Sequence, residues 1–226
     1  MSTVMITGAG RGLGLEFATQ YAEDGWAVHA TVRSESAGET LRALDGNVTV
    51  HVLDVTDNQA VKTTSQALRG LAIDVLINNA GIYGPRGVAH TDLNYDEWIE
   101  VMRVNVFGPI MMSSAFLEQV AHSSQRKLIT VSSLMGSISR APGRDYPYRS
   151  SKAAVNAAMA NFARDISDRD VTVAVLHPGW VQTDMGGRSA DITTDVSISG
   201  MRSVIARLSP LDSGKFLNYD GTEIPW

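Results

Sequence analysis

Residues 3–14 read TVMITGAGRGLG, and the reading of this stretch decides the fold. The apolar and β-branched run Thr3–Thr7 predicts a strand, and Leu13–Glu23 predicts a helix. Between them the spacing T-G-x-x-x-G-x-G sets Gly8, Gly12 and Gly14 where the chain has to turn sharply. Glycines let a backbone come close to a pyrophosphate, and a helix N-terminus offers it free N–H groups and a positive dipole end. A glycine-rich turn by itself can be no more than a tight connection. A strand directly before it and a helix directly after it make it a predicted dinucleotide-binding loop.

Working outward, strand-like runs recur at Ala27–Val32, Val48–Leu53, Asp74–Ile77, Lys127–Ser132, Val171–Leu176 and Lys215–Asn218. They are continuous apolar runs rather than alternations, the pattern of strands buried on both faces of a parallel sheet. Helix-length segments separate them: Asp57–Arg69, Tyr95–Asn105, Gly108–His122, Tyr148–Ser167 and Val196–Leu208. Asp57, Asp92 or Asn94, and Asp195 read as N-caps or first-turn acids. The alternation predicts an α/β fold, a Rossmann-like doubly wound parallel sheet of about seven strands with helices on both faces. Two long loops, Leu134–Pro147 and Pro178–Thr194, follow strands. Ligands in such sheets sit beyond the carboxyl ends of strands, so both loops are expected to wall a site.

Composition narrows the class. The chain has 226 residues, with 19 Lys and Arg against 24 Asp and Glu, a formal net charge of −5. That length predicts one domain, 1–226. With no cysteine, a disulfide scaffold, a thiol nucleophile and any Cys-bearing zinc site are excluded. Net acidity argues against a nucleic-acid partner. No apolar run reaches membrane-spanning length and no signal peptide is recognisable, so a cytoplasmic protein is expected. The histidines at 29, 51, 90, 122 and 177 show no metal-ligand spacing, and no metal is expected. A GxSxG nucleophile elbow is absent.

Two further features carry chemistry. Arg33 ends the second strand 19 residues beyond Gly14, where an NAD-binding fold places an acid on the ribose 2′-hydroxyl. No acid occurs from Ala30 to Ser34, and a cation there suits a 2′-phosphate, with Arg11 as a second cation for the same group. NADP(H) is therefore expected in preference to NAD(H). Tyr148 and Lys152 share one helix face at i, i+4. A phenol with a pKa near 10 is a poor acid–base group at neutral pH, and a neighbouring ammonium lowers that pKa. Tyr146 lacks such a partner, since Ser150 stands four residues on.

Together, TGAGRGLG at 7–14, Asp54-Val55, NNAG at 78–81, Asn105, Ser132-Ser133, YRSSK at 148–152 and PGWVQT at 178–183 resemble the short-chain dehydrogenase/reductase superfamily in its single-domain branch. MITGAGRGLGLEF, SSLMGSI at 132–138 and the ending SGKFLNYDGTEIPW resemble most closely the C-factor and sniffer-type carbonyl reductases. The resemblance covers nearly the whole chain. It implies reversible, NADPH-dependent reduction of a ketone or aldehyde, with Tyr148 as general acid in reduction and base in oxidation. Lys152 would hold the nicotinamide ribose and lower the Tyr148 pKa. Ser133 would hold the substrate oxygen, and Asn105 would anchor a water linking Lys152 to solvent. Gly8, Gly12 and Gly14 would shape the pyrophosphate loop, and Asp54 with Val55 would meet the adenine. Asn78, Ala80 and Gly81 would line the adenosine ribose and steady the sheet, and Val181 and Thr183 would orient the carboxamide. Leu13, Pro178 and Gly179 complete the expected cofactor-binding set.

Ser133 stands 15 residues before Tyr148, more than the dozen or so usual in the family, which implies a small insertion in 134–147 and leaves Ser132 as the alternative. His177 reads as structural, and Trp180 either as a packing residue or as a cover for the nicotinamide. Loops 83–92, 134–147 and 184–196 are expected to shape the pocket for a small carbonyl or alcohol substrate. Helices 95–122 and 148–167 and the tail ending in Trp226 are candidates for a homodimer or homotetramer interface. The C-factor resemblance also raises a second role, a signalling or interaction protein that binds NAD(P) with weak or secondary catalysis.

Overall fold

The computed structural model describes residues 1–141 and 143–226; Pro142, within the expected 134–147 loop, lies outside the described residues. The strands are β1 (Thr3–Ile6), β2 (Ala27–Val32), β3 (Asn47–Val52), β4 (Val75–Asn78), β5 (Lys127–Val131), β6 (Thr172–His177) and β7 (Lys215–Asn218). Among the described residues they form one seven-stranded sheet in the order β3-β2-β1-β4-β5-β6-β7, with every neighbouring pair parallel. After β3 the chain crosses back to the other side of β1, so the order reverses between β1 and β4. At that switch the loops leaving the two strands diverge and open a crevice.

The helices are α1 (Gly12–Glu23), α2 (Glu39–Arg42), α3 (Asn58–Ala67), α4 (Tyr95–Met102), α5 (Gly108–Ala115), α6 (Leu117–Ala121), α7 (Tyr146–Asp165) and α8 (Thr194–Arg207). Alternate strand residues feed two cores. Val4 and Ile6 pack with Phe17 and Tyr21 of α1 and Met201 and Ile205 of α8. Met5, between them, packs on the other face with Met112 of α5 and Val155 and Met159 of α7. Burial on both faces is why the strands read as unbroken apolar runs. The exception is β3, an edge strand that alternates half-buried and exposed residues, with Val52 46% exposed.

Local signals place the helix ends. The Asp57 carboxylate accepts from the Gln59 and Ala60 N–H groups, and the Asn94 side chain accepts from Asp96 and Glu97. Thr193 caps α8, which leaves Asp195 in its first turn. Helix α7 begins at Tyr146, two residues earlier than expected, because Pro147 fits the first turn, where no N–H is needed. The segment predicted as Tyr95–Asn105 is helical only to Met102. It continues as a π-turn over Arg103–Phe107 that runs into α5. The segment predicted as Gly108–His122 breaks at Phe116 into α5 and α6.

Candidate functional site

The glycine loop and the segment after β4 are stitched together. Thr7 Oγ1 accepts from the Asn79 and Ala80 N–H groups, each at 3.0 Å. Asn79 Nδ2 donates to the Thr7 and Gly8 carbonyls at 3.0 and 3.1 Å. Gly8 sits at φ +64° and a Cβ there would lie 2.8 Å from Ala80 Cα, so both conformation and space require glycine. Gly14 is needed for contact, because a Cβ would lie 2.6 Å from Asn79 Nδ2 and drive into the Gly8 carbonyl. Gly12 differs. At φ +54° its missing Cβ would meet only Thr183, at 3.7 Å, on the open side of the loop.

That open side is a cleft of about 520 Å³ running along the sheet's carboxyl edge. Gly8, Arg11, Gly12, Leu13 and Gly14 border its middle. Arg33, Asp54 and Val55 border one end, and Ala80, Gly81, Tyr148, Lys152, Pro178 and Thr183 the other. These expected residues are brought together. Arg11 is placed differently from expectation, since its guanidinium is engaged by Asp184 at 2.8 Å across the cleft mouth. Arg33 has no carboxylate within ion-pair distance among the described residues. It is the cation of that end left for a phosphate.

Five expected residues do not border the cleft: Asn78, Asn105, Ser133, Gly179 and Val181. Asn78 points away from it into the sheet–helix layer, where its Nδ2 donates to Ser113 Oγ of α5 at 3.0 Å. Its place is taken by Asn79, the second asparagine of NNAG. Gly179 faces a separate cavity of about 320 Å³, bordered also by His177, Trp180, Leu134 and Arg140. Val181 is buried and bridged to Ile192. Strand residues alternate sides and loops reverse direction, so consecutive positions of one motif face different spaces. The 134–147 loop sends Leu134 and Arg140 to the second cavity, and none of its described residues borders the cleft. The residues missed by sequence include Tyr83, Arg86, Asp184 and Met185, all within loops already expected to wall the site.

At the end opposite Arg33, Tyr148 and Lys152 are 7% and 5% exposed. Lys152 Nζ lies 5.7 Å from the Tyr148 ring centroid and donates to the Val131 carbonyl at 3.0 Å. Burial pushes the Lys152 ammonium down to about 8. Burial likewise pushes the Tyr148 phenol up to about 12, against the lowering effect of the nearby Ser133 hydroxyl. Desolvation outweighs the charges around this phenol; the cation that lowers it is Arg86, and Lys152, expected to lower it, is not among the causes of its shift.

Ser133 and Ser132 divide as adjacent extended residues must. Ser133 turns to Tyr148 and caps the short turn Leu134–Gly136, accepting from Met135 N–H at 3.1 Å. Ser132 is the one of the pair that borders the cleft, and its Oγ donates to Asn156 Oδ1 at 2.6 Å. Asn105 sits in the π-turn and stands behind the cleft wall. Its amide donates to the Ile82 carbonyl at 2.8 Å and to Ser151 Oγ at 3.0 Å, and its carbonyl accepts from Ile82 N–H at 2.9 Å. The side chain is therefore spent on holding the chain after Gly81.

The cleft has a glycine cradle at a helix N-terminus in its middle, with a cation at one end. At the other stand a phenol and an amine. Such a donor set fits a phosphorylated dinucleotide with an acid–base group at its reactive end.

The model of the family described as short chain dehydrogenase matches residues 2–192. The C-signal protein of Myxococcus xanthus is 41% identical over 155 residues, which cover 68% of this chain and 93% of that protein. Among solved structures, carbonyl reductase Sniffer of D. melanogaster superposes over all of both chains with a TM-score of 0.92 at 32% identity. The NADPH-bound carbonyl reductase from chicken fatty liver superposes with a TM-score of 0.89 at 33% identity, over 100% of this chain and 99% of that one.

Proposed function

The chain belongs to the short-chain dehydrogenase family of oxidoreductases, and from that premise we propose that it reduces a ketone or aldehyde to an alcohol, reversibly, with NADPH. The observation that carries this reading is the buried Tyr148 phenol, one helical turn from Lys152, at the end of the glycine-lined cleft. Arg33 supports NADP(H) over NAD(H), as does the 33% identity to a carbonyl reductase described as NADPH-bound.

When bound, the nicotinamide supplies the hydride. The chain's residues do the rest. Gly8, Gly12 and Gly14 admit the pyrophosphate to the N-terminus of α1. Arg33 takes the 2′-phosphate, and Asp54 and Val55 the adenine side. Lys152 and Thr183 hold the nicotinamide end. Ser133 Oγ donates to the carbonyl oxygen of the substrate, and the proton on Tyr148 Oη passes to that oxygen as it becomes the alcohol. A phenol pushed up to about 12 stays protonated at neutral pH, the form an acid needs. Asn105 keeps the chain at Gly81–Ile82 in place beside Lys152.

A screen of carbonyl compounds following NADPH absorbance tests the reading. Tyr148→Phe is expected to bind NADPH as the wild type does and to lose turnover by about a hundredfold or more. Ser133→Ala is expected to fall with it, and Ser132→Ala far less. Comparable activity in Tyr148→Phe would refute the proposed role. The 41% identity to C-signal favours a second reading, a signalling or interaction protein that binds NAD(P) with weak catalysis. Tight NADPH binding with no turnover across the whole panel would favour it. The exposed Tyr95, Ile99 and Phe107 support self-association through the 95–122 segment, which sedimentation would test.

A further inference from the structure

Beyond Gly81 the chain lays Tyr83 flat against Tyr148. The ring centroids are 4.3 Å apart and the planes lie 13° from parallel. The outer face of Tyr83 carries Arg86, whose guanidinium carbon is 4.1 Å from the ring centroid. Arg86 in turn donates to the Met185 carbonyl, which ties this stack to the far wall of the cleft. The Tyr83 hydroxyl reaches Met135 Sδ at 3.7 Å, two residues beyond Ser133. Tyr83 is thus gripped on one face and at its tip, and its other face covers Tyr148.

We propose that Tyr83 is a positioning residue for Tyr148: its clamped ring keeps water off the Tyr148 phenol and holds that phenol on Ser133. The kinetic consequence rests on the general-acid role of Tyr148 given above; the shielding does not. The groups facing Tyr148 are Tyr83, Arg86, Lys152 and the Ser133 hydroxyl. Those around Tyr83 are Asp145, Arg86 and Arg149. Asp145 is held by the Gly87 N–H at 3.0 Å and Arg149 reaches the Met135 carbonyl at 3.4 Å, so the charges nearest the stack are anchored to the same loops. Burial is the largest cause of the raised Tyr148 phenol, and Tyr83 raises it further. Removing the Tyr83 ring removes both contributions on that side, so the phenol must ionise more easily.

Ultraviolet titration of tyrosinate in the protein without cofactor tests this, with Tyr148 assigned by subtracting the matching Tyr148→Phe variant. In the wild type the subtraction shows no phenol ionising below about pH 11. Tyr83→Leu is expected to reveal one that does, and Tyr83→Phe, which keeps the ring and loses only the charge of an ionised Tyr83, is expected to shift it far less. In kinetics, Tyr83→Leu lowers kcat for reduction about tenfold and brings the alkaline loss of kcat to lower pH. Its NADPH affinity stays within about twofold. Tyr83→Met carries the same expectations if the leucine variant does not fold. The proposal is overturned if Tyr83→Leu leaves the titration in place, or if Tyr83→Phe shifts it as far as Tyr83→Leu. If the titration shifts but no carbonyl compound is turned over by any form, the positioning stands and the proposed reaction falls.

Discussion

Lys152 shows what a buried amine costs its own fold. Its amine is buried, and its one protein partner among the described residues is the Val131 carbonyl. Its pKa is lowered to about 8, while the unfolded chain holds the proton to about 10.4. Between those values the unfolded state binds more protons than the folded one, so this group makes stability rise with pH there. Below pH 8 both states are charged and the folded one bears the desolvation penalty in full. Lys152→Met is therefore expected to melt at or above the wild-type temperature at pH 7, while losing turnover. The gap should close from pH 8 to pH 10, as thermal melts across that range would show. A melting-temperature difference that stays constant with pH would contradict the account. The i, i+4 spacing of Tyr148 and Lys152 was legible because helix geometry alone puts both on one face. The choice between Ser132 and Ser133 was not, since both meet α7: Ser132 borders the cleft and bonds Asn156, while Ser133 lies beside Tyr148.

At the scale of an element, the N-terminus of α1 makes opposite demands on two glycines. A methyl group at Gly14 collides with backbone and with Asn79 inside the fold, whereas one at Gly12 projects toward the cleft. Gly14→Ala is expected to lose about 1–3 kcal/mol of stability by overpacking, read from chemical denaturation. Gly12→Ala costs about 1–2 kcal/mol for its left-handed backbone, yet should weaken NADPH binding at least tenfold in a fluorescence titration. If Gly12→Ala bound NADPH as the wild type does, the cofactor would not lie on this loop. Helix starts were read well where a side-chain cap marks them, as at Asp57 and Asn94, and two residues late at α7, where Pro147 lies in the first turn. Of the π-turn over Arg103–Phe107, the sequence reads the first three residues as plain helix and Val106-Phe107 as a gap between helices, because the cause of the turn is not local. Asn105 is turned inward to bond Ile82 and Ser151, partners 23 and 46 residues away.

For the whole molecule, the order β3-β2-β1-β4-β5-β6-β7 gathers residues from both halves of the chain onto one cleft. Its two ends are expected to separate cofactor choice from chemistry. Arg33→Ala should lower kcat/KM with NADPH by tenfold or more, the worth of one charged hydrogen bond, and leave NADH nearly unaffected. Arg11→Ala should cost less, because Arg11 already answers to Asp184. Equal losses with both cofactors would show that Arg33 does not read the 2′-phosphate. The sequence by itself determined the strand and helix alternation, the glycine cradle and the Tyr148–Lys152 pair, since each follows from local periodicity or from spacing within one element. Only the tertiary structure decided that Asn79 rather than Asn78 borders the cleft, that Gly179 and Val181 turn away from it, and that Tyr83 lies on Tyr148. Those facts depend on which loops meet across the sheet edge, and on how much water burial removes from a phenol, and neither is written in any single segment.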